Sequence, residues 1–224
     1  MKSQFRFALL VACSSASLAA QAIVITQNVD NNTITPGNSV SCNAGGLHVD
    51  NWYARGFNLA DYGITQPFQV SSVRFGVEAA SSPAGFQSIT VNLYDGYSTS
   101  GANLLPGTLV GSSTFNLANG ATFFHVENVS ALITSGRVVA EVFTPNGQSA
   151  GNGFFIGSNP NGQTGPSYIK APDCGVTSLT NLGAIGFGGM HELICIDGQP
   201  VPEPATLAVL GLGAIAVLRR RRRK

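Results

Sequence analysis

Val73-Arg74-Phe75-Gly76-Val77 and Ile89-Thr90-Val91-Asn92-Leu93 decide the fold. In both, apolar side chains fall on every second residue, the period of a strand with one face on a core. A helix would place them three and four apart. Phe115 and Leu117 repeat the alternation. Val138-Val139 and Val142-Phe143 make a more continuous run, the mark of a strand covered on both faces. Turn formers separate these runs: Ser81-Ser82-Pro83, Asp95-Gly96, Asn119-Gly120, Pro145-Asn146-Gly147 and Asn159-Pro160-Asn161-Gly162. The pattern predicts an all-β body, an antiparallel β-sandwich of jelly-roll type. Residues 147–165 read as loop around one short buried strand, Phe154-Phe155-Ile156. The body is poor in Lys and Glu, which long amphipathic helices use on their wet face.

Both ends differ from this body. Met1 to Ala22 carries Lys2 and Arg6, an apolar stretch Phe7 to Ala12, then small residues ending Ala20-Gln21-Ala22. That is the layout of a secretory signal peptide with cleavage after Ala22. Leu10-Val11-Ala12-Cys13 is a competing lipobox, with Cys13 as the lipidated residue. At the other end, Pro202-Glu203-Pro204 is followed by an uncharged run from Ala205 to Leu218 and then by Arg219, Arg220, Arg221, Arg222, Arg223 and Lys224. As a helix the run would be about 21 Å long, against a hydrocarbon core of about 30 Å. Ala205, Leu207, Leu210, Leu212, Ile215 and Leu218 are its anchor residues. A core helix there would set six cations against a hydrophobic interior. In a membrane the same cations sit at anionic headgroups and their stems offset the short span. The prediction is a transmembrane helix with its basic end in the cytoplasm and the body outside.

Motif, apolar run and Arg-rich end, in that order, resemble the PEP-CTERM sorting signal of exported bacterial proteins. The resemblance covers about a tenth of the chain. It implies recognition of Pro202, Glu203 and Pro204 by an exosortase, a membrane cysteine protease and transpeptidase. It also implies removal of the anchor and passage of the body to the envelope or the outside. This chain would be the substrate of that reaction. Three parts follow: a signal peptide over 1–22, a β-sandwich over 23–198, and the linker and anchor over 199–224.

Removing the ends changes the charge. Eight of the 12 Lys and Arg lie in them, leaving Arg55, Arg74, Arg137 and Lys170. Ten of the 11 acids stay, so the body carries about six net negative charges. Nucleic acid is therefore excluded as a partner of the body. Cys42, Cys174 and Cys195 remain after signal removal, and an oxidising exterior permits a disulfide. Any pair fits the sequence, and one thiol is left over.

Few residues carry chemistry. Gly147-Gln148-Ser149-Ala150-Gly151 matches a nucleophile elbow, but no helix pattern follows it. Asp30-Asn31-Asn32 and Asp50-Asn51 are oxygen-rich without a closing acid, and His48, His125 and His191 lack metal-ligand spacing. No metal or cofactor is predicted. Asp50, Trp52, Tyr53 and Arg55, around the only tryptophan, form the best local set for a glycan, against the competing reading that Trp52 packs the core. The expectation is a non-enzymatic envelope protein, structural or adhesive in a surface polysaccharide matrix. Its partners would be the membrane, the secretion machinery, the exosortase and polysaccharide. A carbohydrate-binding module and a secreted hydrolase are the alternatives.

Overall fold

The computed structural model describes residues 22–201. Fifteen strands and three short 3-10 helices account for the regular structure of these residues. The first seven are β1 (Ile23–Thr26), β2 (Asn43–Ala44), β3 (Leu47–His48), β4 (Asn51–Asn58), β5 (Phe68–Ser81), β6 (Phe86–Ser100) and β7 (Asn103–Ala118). Then come β8 (Gly120–Ile133), β9 (Arg137–Thr144), β10 (Gly153–Ile156) and β11 (Ser158–Asn159). The last are β12 (Tyr168–Ala171), β13 (Val176–Asn181), β14 (His191–Glu192) and β15 (Ile194–Pro200).

Two antiparallel sheets pack face to face. One has five strands in the order β1-β15-β5-β10, with β8 on the other edge of β5. The second runs β12-β13-β7-β6-β9-β4 and closes on itself through the β4–β12 pair. The all-β, antiparallel expectation holds, and the closure of one sheet into a ring is the added feature. Between β13 and β7 the ring is held by a single register pair, Thr180 with Asn103. The Thr180 hydroxyl donates to Asn103 Oδ1 at 3.0 Å, and Asn181 N–H donates to the Ala102 carbonyl at 2.8 Å.

The alternating residues build the core between the sheets. Val73, Phe75 and Val77 from β5, and Ile89, Val91 and Leu93 from β6, are fully buried in one cluster. Each such side chain contributes about 1.5–3 kcal/mol of burial. The continuous run falls on β9, where Val138, Val139, Ala140, Glu141 and Val142 are all buried. β9 pairs β4 on one side and β6 on the other, so one of its faces meets the five-stranded sheet and the other the interior of the ring. Phe154-Phe155-Ile156 is the short buried strand expected. Gly157, next to it, lies so close to β5 that a Cβ there would stand 2.7 Å from the Gly76 carbonyl carbon.

Two local expectations need correction. Asp95-Gly96 is no turn. It lies inside β6, and the chain reverses instead around Gly101, between the paired Ser100 and Asn103. Asp95 accepts from the backbone N–H and hydroxyl of both Thr134 and Ser135, so its carboxylate fastens β6 to the β8–β9 corner. The body also extends past 198. Gln199 and Pro200 still pair with Gln69 and Phe68, and Val201 N–H donates to the Pro67 carbonyl at 2.7 Å.

Cys42 and Cys174 form a disulfide across a sequence separation of 132, with Cα atoms 5.9 Å apart. Cys195 is a buried free thiol. No helix among the described residues is long and apolar enough to cross a membrane. The expected signal helix and transmembrane helix lie outside those residues.

Candidate functional site

Successive residues of a strand point to opposite faces, and this divides the set predicted around Trp52. Tyr53 and Arg55 turn toward the five-stranded sheet and have no exposed surface. Neither reaches a glycan in solvent. Arg55 is instead a clamp. Its Nε donates to the Glu192 carbonyl at 2.8 Å, one terminal nitrogen to Gly165 O at 3.0 Å and Gln27 Oε1 at 3.3 Å, and the other to Gln163 Oε1 at 3.0 Å. Burial lowers its pKa to about 10, which still leaves it charged. Asp50 accepts from Asn146 N–H at 2.7 Å and holds the turn after β9.

Trp52 and Ala54 face the interior of the ring. Trp52 is half-buried. Its register partners on the flanking strands are Phe143 and Lys170. Phe143 stacks on the indole with centroids 4.5 Å apart, and Lys170 Nζ lies 4.3 Å above the ring, so both faces of Trp52 are covered.

One strand position further inward is a residue the sequence reading missed. Glu141 pairs with Ala54 on β4 and Asn92 on β6, and is only 4% exposed. Its Oε1 accepts from Asn92 Nδ2 at 2.9 Å and from the Tyr94 hydroxyl at 3.1 Å. Burial raises the Glu141 pKa, and those two bonds and the charge of Lys170 oppose the shift. Burial, and then the neighbouring carboxylate, push the Tyr94 hydroxyl up. The signal was an acid inside Val138-Val139-Ala140-Glu141-Val142, a run otherwise apolar.

Glu141 opens onto a cavity of about 270 Å³. Every strand of the ring contributes to its lining: Trp52 from β4, Tyr94 from β6, Leu105 from β7, Glu141 from β9, Lys170 from β12 and Leu179 from β13. A larger cavity of about 420 Å³ flanks the disulfide, lined by Val40, Ile169, Val176, Ile185 and Phe187 besides the cysteines. No acid or base lines it.

The remaining candidates serve the fold. Asp30 accepts from Asn32 N–H, Thr33 N–H and Asn161 Nδ2, and these bonds hold its carboxyl below the usual range. His191 accepts from Gly162 N–H at Nδ1 and donates from Nε2 to Gly188 O. Burial lowers its pKa. His125 stacks on Phe115 at 4.4 Å. Among the described residues no three His, Cys, Asp or Glu side chains gather as metal ligands. Ser149 lies exposed on a turn, with Gly151 N–H donating to the Gln148 carbonyl, and β10 follows it rather than a helix.

The chain leaves the fold at Val201, hydrogen-bonded to the Pro67 carbonyl. Residues 200–223 match the PEP-CTERM protein-sorting motif. The C-terminal segment is a PEP-CTERM sorting motif. Of this PEP-CTERM segment, Pro202, Glu203, Pro204, the anchor residues and the basic stop fall outside the described residues, as does Ala20 of the signal peptide. No curated protein matches the chain. Among solved structures it is similar to a CocE/NonD family hydrolase from Staphylococcus aureus, at 8% identity and a TM-score of 0.28. The match covers 81% of this chain and 37% of that one. The motif implies export, processing by an exosortase and transient association with the membrane.

Proposed function

We propose that this is a non-enzymatic envelope protein, structural or adhesive in a surface polysaccharide matrix, which an exosortase frees from its membrane anchor. The sorting motif over residues 200–223 carries this reading. Three features of the body support it. The disulfide suits an oxidising exterior. The negative body matches a protein kept soluble outside the cell rather than one that coats nucleic acid. Ser149 has no elbow around it, and Glu141 is bonded to an amide and a phenol rather than facing a second carboxylate, so neither supports hydrolysis.

Fractionation and intact mass, in cells with and without the exosortase, test the reading. The expected result is a membrane-bound chain with its tail in cells lacking the enzyme, and a shorter chain in the envelope or medium of cells that have it. The same mass and the same fraction in both would overturn it.

A further inference from the structure

We infer that the cavity inside the ring binds one residue of a neutral, hydroxyl-rich saccharide. The inference deepens the surface-polymer reading by naming what the body grips.

The site is built rather than incidental. All six strands of the ring line it, and its innermost polar group is a carboxyl that is 4% exposed. Both protein donors to that carboxyl fall on Oε1. Oε2 receives none, which leaves one strong acceptor for a ligand. Lys170, a donor, lines the same cavity. Among the described residues the single ion pair joins His125 to Glu127, so the Lys170 ammonium has no carboxylate within contact distance. Its hold on Trp52 is a half-exposed cation–π contact, weak at such a site and readily exchanged. Aromatic and aliphatic side chains form the rest of the wall: Trp52, Tyr94, Leu104, Leu105, Pro106 and Leu179. Thr177, on the same face of β13 as Leu179, adds a hydroxyl.

This arrangement selects a ligand class. An anion would meet Glu141, and a cation would meet Lys170. A hydroxyl satisfies both, since it donates to the carboxyl and accepts from the ammonium. The ligand must also present an apolar surface to aromatic and aliphatic walls, as the C–H face of a pyranose ring does. A volume of about 270 Å³ sits just under the usual range for drug-sized ligands and suits one ring. The net negative body disfavours a polyanion. The cavity reaches Leu105, which is 45% exposed, so neighbouring units of a polymer have a way out.

Affinity electrophoresis of the full chain, in a sugar-free detergent, tests the inference. Gels would be cast with dextran, galactomannan or hydroxyethylcellulose, and in parallel with alginate or polygalacturonate. The expected result is retardation by at least one neutral polymer, weakened about tenfold by Glu141→Gln and by Lys170→Met at an unchanged melting temperature. Thr177→Trp, on the same face of β13 as Leu179, fills the cavity from that side, leaves the Glu141 bonds intact and should abolish it. If Glu141→Gln does not fold, that variant and Lys170→Met decide. Lack of retardation by all three neutral polymers, retardation by the anionic ones alone, or variants that migrate as the parent does, would each overturn the inference. The assay uses purified protein, so its failure leaves the sorting result standing, and the reverse holds as well.

Discussion

Glu141 and Glu192 are both buried acids with raised pKa values, yet they sit in opposite kinds of surroundings. Glu141 lies in the ring, wired to an amide and a phenol, with a cavity in front of it. Glu192 is sealed, and neither of its carboxyl oxygens receives a donor from the protein. Burial pushes it well above the ordinary range, and only the charge of Arg55 opposes that. The pair separates two uses of a buried acid. One is held ready by hydrogen bonds that keep a lone pair free. The other is part of an internal brace, in which Arg55 ties together β4, β14, and the segments around Gln27 and Gly165.

The largest perturbation removes the frame both acids share. Replacing Cys42 and Cys174 with Ala should lower the unfolding free energy by about 4–5 kcal/mol, because the closed loop is long. Urea denaturation would show it, with both surroundings lost in one transition. Arg55→Met attacks the sealed side alone. Four acceptors lose their donor and Glu192 loses its cation, for an expected loss of about 3–5 kcal/mol by the same measurement.

Glu192→Gln sharpens the contrast through pH. The folded pKa is raised, so the neutral acid's contribution is fully present below the ordinary value of 4.5 and is lost as pH rises toward the folded value. The variant lacks that loss. Urea denaturation at a series of pH values above 4.5 should therefore show its stability rising relative to the parent as pH increases. Glu141→Gln has the same sign and the smallest size. Asn92, Tyr94 and Lys170 already favour the ionised form, so stability should stay within about 1 kcal/mol of the parent across that range. A steep pH slope for Glu141→Gln and a flat one for Glu192→Gln would reverse the comparison.

The sequence exposed whatever depends on neighbours along the chain. Val73, Phe75 and Val77 announced a strand because their period is local, and Val138 to Phe143 announced a doubly covered one. The opposite facing of Trp52 and Tyr53 follows from the same two-residue period, although their adjacency in sequence suggests a single cluster. What depends on register was hidden. Asn92 and Glu141 are 49 positions apart and meet only because β6 pairs β9. Ring closure through Thr180 and Asn103 rests on one pair and leaves no periodic trace. The Asp95-Gly96 dipeptide misled because Thr134 and Ser135 supply the donors that a turn would otherwise supply.

One pairing in the five-stranded sheet bears on how the molecule meets the cell. Ile23 lies opposite Gly198, so the first and last strands of the described residues begin and end at the same corner of the body. The final strand ends at Pro200, the residue at which the sorting motif begins. A protease acting on this motif would meet it close against a folded wall.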